Sequence, residues 1–408
     1  MLDIIGKFMT NWKTYTLKDL SKGKGEYGIG APAVPFDDEK YTYLRITDIN
    51  DDGTLNKSGL MSVDDENAER YLLAKNDIVF ARTGNSTGRS YFYDGRDGEL
   101  VYAGFLIRFH LDEAKVNPKI LKYYTHSKPY YDWVKSFDTG GTRGNINAKT
   151  YGDMPICLPP RHIQDRIAGI LGAIDDKIEN NRRINTNLEL QAQALFDNLM
   201  SNSNLEYKLI ADIDHIIETG RRPKGGVADI TSGVPSIGAE NIKGLGKYDY
   251  SKTKYITAEF AETLKKGIIK GYELLIYKDG GKPGYFIPNF SIFGEGFPYD
   301  NMTLNEHVFL LDFGNKGYNF FAYFYMQTEE VIKYLNAQGS KAAIPGINRN
   351  DVENISIPTI ENEAVKEFCE GIEPIITSIL VNSKESSRLA TLRDTLLPKL
   401  MNGEIKTE

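Results

Sequence analysis

The sequence predicts an α+β chain built from two tandem mixed α/β domains. Each domain is followed by a long helix, and the two helices pair as an antiparallel coiled coil. Three observations predict this. The chain repeats itself at a fixed offset, each repeat opens with short apolar runs cut by turn residues, and each repeat closes on apolar residues spaced by threes and fours.

The repeat is read first, because it sets the domain count. Ile146-Asn147 and Ile347-Asn348 lie 201 residues apart, and the offset holds without a gap to Met200 and Met401. Along it Ile156 pairs with Ile357, Asn181 with Asn382, Leu188 with Leu389, Leu195 with Leu396 and Leu199 with Leu400. Upstream the likeness is looser but keeps its order. Trp12–Leu20 resembles Leu205–Ile213, Tyr43–Ile49 parallels Ser236–Ile242, and Lys75–Phe80 parallels Lys270–Leu275. A period of this length is a duplicated domain and not a solenoid unit. The expected parts are a first domain over 1–158, a spacer helix over 159–202, a second domain over 203–358 and a second spacer helix over 359–408.

Within each domain, runs rich in Val, Ile, Tyr and Phe between Gly, Asn and Asp read as strands and turns. Each half carries a Gly-rich loop after a strand, Arg82–Tyr91 in the first and Lys278–Tyr285 in the second. Gly104–Phe109 and His307–Leu311 are the strands expected next, and second glycine turns follow at Gly140–Gly144 and Gly339–Lys341.

The helices come last. Leu171, Ile174, Ile178, Asn181, Asn185, Leu188, Ala192, Leu195 and Leu199 form one seam, on a helix over about Ile163–Met200. Its counterpart is Ile372, Ile375, Ile379, Asn382, Ser386, Leu389, Arg393, Leu396 and Leu400, with Pro374 distorting the first turn. Both seams are polar at mid-length, so amides facing each other across the seam would fix its register. Antiparallel pairing places the domains at opposite ends of a spacer about 57 Å long, against about 34–36 Å for one DNA turn.

Composition excludes several classes. At 408 residues, 41% apolar and 26% charged, the chain has room for more than one core and has no low-complexity tract. No apolar run is long enough to cross a membrane, and the first sixteen residues hold no signal core. Two cysteines, Cys157 and Cys369, are too few for a disulfide framework or a metal cluster and suit a reducing cytoplasm. The net charge of −7 is unevenly spread: residues 75–149 hold 12 Lys/Arg against 8 Asp/Glu, and residues 221–282 hold 12 against 7. Two local cationic faces are therefore compatible with an acidic chain.

Chemistry-bearing motifs are missing. Gly23–Gly28 fits the spacing of a dinucleotide loop, but Ala31-Pro-Ala-Val-Pro35 follows where that loop needs a helix. Pro159-Pro160 lies between Leu158 and Arg161, which does not make the Asn/Asp-Pro-Pro-aromatic loop that holds an amine for methyl transfer. The five histidines have no zinc spacing, and no phosphate-binding loop occurs. The expectation is a chain with no catalytic residues, no metal and no cofactor of its own.

The glycine loops do carry residue types that read DNA. Arg reaches guanine bidentately, Asn reaches adenine, and Ser, Thr, Lys and free backbone N–H groups reach phosphates. The candidates in the first half are Arg45, Arg82, Asn85, Ser86, Thr87, Arg89, Thr142, Arg143 and Asn145. Those in the second are Arg221, Arg222, Asn241, Lys243, Lys278, Lys282 and Lys341.

On these residues the chain resembles the specificity subunit of type I restriction-modification systems. The resemblance is carried by Leu158–Ile167, Asp175–Ile184, Gln193–Phe196 and the ending Leu392–Ile405, and by Tyr43–Ile49 and Gly140–Asn147. It implies two target-recognition domains, each reading one half of a split sequence in double-stranded DNA, with the helices as a ruler. It also implies two modification (methyltransferase) subunits that carry S-adenosylmethionine and methylate adenine, and restriction subunits that use ATP and Mg. The competing readings are a non-catalytic helical scaffold or adaptor that does not read DNA, and an enzyme with an unrecognised site. Sequence-selective duplex binding by the assembled complex separates the first from the scaffold; methylation by the chain alone would favour the enzyme.

Overall fold

In the computed structural model, which describes residues 11–137, 144–202, 204–280, 286–340 and 345–405, the chain divides into two compact units. One is Met1–Asp175 with Thr391–Glu408, the other Asp176–Ala390. Each holds a globular domain together with parts of both long helices.

The first unit contains β1 (Lys13–Thr16), β2 (Glu26–Tyr27), β3 (Ala33–Pro35), β4 (Thr42–Leu44), β5 (Met61–Val63), β6 (Asp77–Ala81), β7 (Ser90–Tyr93), β8 (Leu100–Tyr102), β9 (Leu106–His110) and β10 (Pro155–Leu158). Its short helices are α1 (Pro118–Tyr124), α2 (Lys128–Lys135) and α3 (Ala148–Gly152), and α4 (Arg161–Asn202) begins in it. One sheet has the order β2-β9-β6-β7 and another β3-β5-β4-β8, while β1 pairs with β10. Strand β6 is buried along its whole length, as its unbroken apolar run after Asp77 requires of a strand flanked on both sides. Behind it, Phe80 stacks on Tyr151 of α3 with ring centres 4.7 Å apart.

The second unit contains β11 (Tyr207–Leu209), β12 (Ile216–Thr219), β13 (Val234–Ile237), β14 (Gly244–Leu245), β15 (Lys254–Ile256), β16 (Leu274–Tyr277), β17 (Phe290–Ile292), β18 (Thr303–Leu304), β19 (Val308–Asp312) and β20 (Ser356–Pro358). Its helices are α5 (Ala258–Glu262), α6 (Lys316–Tyr325), α7 (Glu329–Gly339), α8 (Arg349–Glu353) and α9 (Glu363–Met401). The orders are β12-β19-β16-β17-β14 and β15-β13-β18, with β11 on β20.

The repeat has a physical content at each end. Asn147 caps α3 by accepting from the Thr150 amide, and Asn348 caps α8 by accepting from Asp351. The isoleucine before each is buried. Pro155–Leu158 pairs with Lys13–Thr16, and Ser356–Pro358 pairs with Tyr207–Leu209, both antiparallel. Cys369 lies in the apolar core of the second unit, and Cys157 is half-buried opposite Thr14. Burial pushes the Cys369 thiol up to about 12, which leaves it protonated and inert.

The long helices pair antiparallel, as the seams predict. In the first unit Ile167 and Leu171 of α4 share a core with Leu397 and Leu400 of α9. In the second, Asn181 donates to Glu385 (2.7 Å) and Ser386 (3.2 Å). Asn185 donates to the Ile379 carbonyl (3.1 Å) and accepts from Asn382 (2.9 Å). Three details differ from the expectation. Helix α4 extends beyond Ile163 and Met200 at both ends. Leu195 is 45% exposed, and Phe196 takes its seam place because Phe321, Phe324 and Phe368 make an aromatic socket there. Pro374 lies in the fourth turn of α9, not its first, on the exposed face. The helix starts at Glu363, with Asn362 accepting from the Ala364 amide.

Candidate nucleic-acid interface

In the first unit the registers bring four chain segments to one end of the β2-β9-β6-β7 sheet. Tyr27 ends β2, Phe105 precedes β9, Arg82 follows β6 and Arg89 precedes β7. The Arg82 amide donates to the Phe105 carbonyl (3.0 Å), and its own carbonyl accepts from Ile146 (2.9 Å). Its guanidinium lies 5.0 Å from the centre of the Tyr27 ring, and Nε is shut from solvent without a hydrogen-bond partner among the described residues. That geometry holds the charged fork by its stem and stack. The loop beyond it turns on Gly84 and Gly88, both at positive φ (77° and 87°) that an L side chain rarely adopts. The Thr87 hydroxyl sits between the Gly84 and Gly144 carbonyls (2.8 and 2.9 Å), and Thr83 bridges to Asn145. Arg82, Asn85, Thr87 and Asn145 therefore share one surface, with Asn85 and Asn145 exposed.

The second unit repeats this frame. Lys278 follows β16, its amide donates to the His307 carbonyl (3.0 Å), and its carbonyl accepts from Ile347 (2.8 Å). Asp279 bridges to Gly346 as Thr83 does to Asn145. Arg82 and Lys278 thus occupy the same address, gripped by the same two backbone bonds. The same sheet end gathers Arg222 after β12, His307 before β19 and Lys243 before β14. The chemistry laid on the frame is different. The Lys278 ammonium donates to the Glu306 carbonyl (3.1 Å) and lies 5.4 Å from the Phe309 ring. Arg222 clasps the Glu306 carboxylate (Nε to Oε1 2.8 Å) and lies beside His307, which bonds to Asp279. The bond to Glu306 raises the Arg222 pKa. For Glu306 burial raises the pKa, but the bonds from Arg222 and from its own backbone amide, with the charges of Arg222 and His307, together outweigh it and the carboxyl falls below its ordinary value.

Several expected contacts turn out to be internal. Arg45 is spent on Asp48 (2.8 and 2.7 Å) and on the Gly59 carbonyl (3.1 Å), where it clamps a tight turn. Asn241 is fully buried in the matching turn, accepting from the Gly238 amide (3.0 Å) as Asp48 accepts from Arg45 (2.9 Å). It cannot reach a base. Ser86 is buried, and Arg89 turns to the Ile49 carbonyl (3.0 Å) and Asp51 (2.7 Å). Arg221 stays exposed, over the Phe260 ring at 5.6 Å. Lys243 is exposed at a cleft with Lys247, whose partner is Glu189 (3.1 Å). Thr142, Arg143, Lys282 and Lys341 lie outside the described residues.

The sequence reading missed the exposed aromatics Tyr27 and Phe105 and the group of Asp279, Glu306 and His307. Their signal was position. Phe105 and His307 each stand one residue before the strand that pairs with the one leading into the glycine loop. Among the described residues no group of His, Cys, Asp or Glu could hold a metal ion, and no helix is long and apolar enough to cross a membrane.

Residues 9–190 match the family model for the type I restriction modification DNA specificity domain. The chain is 24% identical to the type I restriction enzyme MjaIX specificity subunit of Methanocaldococcus jannaschii, over 71% of this chain and 69% of that one. It is 23% identical to the type I restriction enzyme HindI specificity subunit of Haemophilus influenzae, over 97% of this chain and all of the other. Among solved structures, the S subunit of the type I restriction-modification system from M. genitalium has the same fold, with a TM-score of 0.58 at 16% identity over 96% of each chain.

Proposed function

We propose that the chain is a type I restriction-modification specificity subunit, and that its two domains read the two halves of one split DNA sequence for a methyltransferase and restriction complex. The observation that carries the reading is the shared address of Arg82 and Lys278. Two domains present one basic residue each from the matching backbone position, at the matching end of their own sheets, within loops of different sequence. One frame with two sets of side chains suits two half-sites of different sequence.

In the first domain the proposed readers are Arg82, Asn85, Thr87 and Asn145, and the sequence candidates Thr142 and Arg143 are proposed with them. In the second they are Lys278, with Arg221 and Lys243 flanking, and the sequence candidates Lys282 and Lys341 are proposed with them. Arg222 supports its loop by holding Glu306. The long helices set the distance between half-sites. The chain itself is a reader without catalysis. Methyl transfer to adenine from S-adenosylmethionine belongs to two modification subunits, and ATP- and Mg-dependent work to restriction subunits.

The test is to co-express the chain with a modification subunit of its own system and map methylated adenines across the host genome. The reading predicts one split motif, absent when either subunit is expressed alone. Methylation by the chain alone, or methylation without sequence preference, would reject it.

A further inference from the structure

A duplicated chain faces a problem that its two long helices must solve: α4 and α9 are alike, so each could pair with its own counterpart in a second copy. The core of the first unit holds a charged cluster that bears on this. Asp175 of α4, only 10% exposed, accepts from Lys122 (2.6 Å), from the Tyr123 hydroxyl (2.9 Å) and from Arg393 of α9 (3.1 Å). Arg393 is 20% exposed and also reaches Asp394 (2.9 Å).

The second unit has the same junction with none of that charge. Tyr124 and Tyr325 fix the correspondence, each donating to a strand carbonyl at 2.8 Å, that of Pro155 and that of Ser356. At the same offset, Lys122 and Tyr123 correspond to Tyr323 and Phe324, Asp175 to Ile376, and Arg393 to Ala192. All four of these second-unit residues are buried in its apolar core. Pairing of α4 with a second α4 would set Asp175 opposite Ala192. Pairing of α9 with a second α9 would set Arg393 opposite Ile376, in a core without an acid to meet it. In either case the bond across the seam is lost, leaving Asp175 with Lys122 and Tyr123 and Arg393 with the exposed Asp394, and a half-buried charge that loses its facing counter-ion is disfavoured against the matched pair.

We propose that Asp175 and Arg393 are the partner-selecting residues of the coiled coil, which make the first long helix accept the second and reject its own counterpart in another copy. The remaining seam polarity points the same way. Lys177 meets Glu385 at 3.0 Å, and the residue matching Glu385 in α4 is Ile184. One end of the spacer thus carries the identity of the pair, while the other carries packing.

Two full-length variants test this, Asp175→Arg and Arg393→Asp, each expressed alone and then together with different tags. Alone, each sets like charges face to face and should melt several degrees below the wild type. Together, the first helix of one variant meets the second helix of the other, and a carboxylate again lies between cations. The expected result is a 1:1 complex of twice the chain mass by light scattering, with its melting temperature restored towards the wild type. Two populations that stay separate, each with its own low melting temperature, overturn the proposal. Should charge reversal leave both chains insoluble even together, Asp175→Asn and Arg393→Gln chains are incubated with tagged wild type. Faster exchange into mixed dimers than between wild-type copies supports the proposal, and an unchanged exchange rate overturns it.

Discussion

His126 shows how far a single residue is set by its surroundings. It lies at the cleft formed by α1, α2, the Asp51–Asp52 loop and the end of α9, with the Tyr131 hydroxyl 3.0 Å from Nδ1. Burial, aided by the cations Arg393 and Lys122, lowers its pKa to about 4. The unfolded chain, with an ordinary histidine near 6.5, then binds more protons than the folded one. The contribution is whole above about pH 6.5 and is lost as pH falls towards 4, a change on the order of 3 kcal/mol. The equivalent residue in the second half is Gln327. His126→Gln should therefore flatten the fall in urea-unfolding stability between pH 6.5 and 4.5; an unaltered slope would place the titration elsewhere. The candidate site was only half legible at this scale. The sequence offers Arg82 and Arg222 as similar loop arginines, and nothing local says that Glu306 waits for one of them 84 positions away. Asn241 has the side chain for reading adenine, yet its turn consumes it.

At the scale of elements, the long helices were the most legible part, because a seam spaced by threes and fours survives any local detail. Its departures were settled by tertiary packing. Leu195 and Phe196 both fit a helical stripe, and the aromatic socket of the second unit decides between them. The strands were legible where runs were continuous, as in β6 and β9, and less so in short edge pairs such as β2 and β14. Mid-seam, Asn181, Asn185 and Asn382 hold one register. Inserting one matched heptad into each helix on the same side of this layer preserves that register and lengthens the pair by about 10 Å, roughly three base pairs of duplex. The methylated motif should keep both half-sites and widen its gap by about that amount. A gap of unchanged length would separate the helices from the spacing.

At the scale of the whole molecule, duplication gives two copies of one frame, and in the proposed reading the differences between copies select the two half-sites. The frame is conservative down to backbone bonds: Ile146 donates to Arg82 and Ile347 to Lys278, while Arg82 donates to Phe105 and Lys278 to His307. The loops built on it diverge, and so do the junctions with the long helices. The fold class followed from the repeat because a repeat constrains many residues at once. The reading surface did not, since it depends on which polar groups remain after internal bonds are made. The central claim is that each domain reads its own half-site, and the most direct measurement maps the methylated motif of complexes carrying Arg82→Ala or Lys278→Ala. The account predicts that each variant relaxes or weakens one half of the motif only, and that the two act on opposite halves. Loss spread equally over both halves in either variant, or both variants acting on the same half, would contradict it.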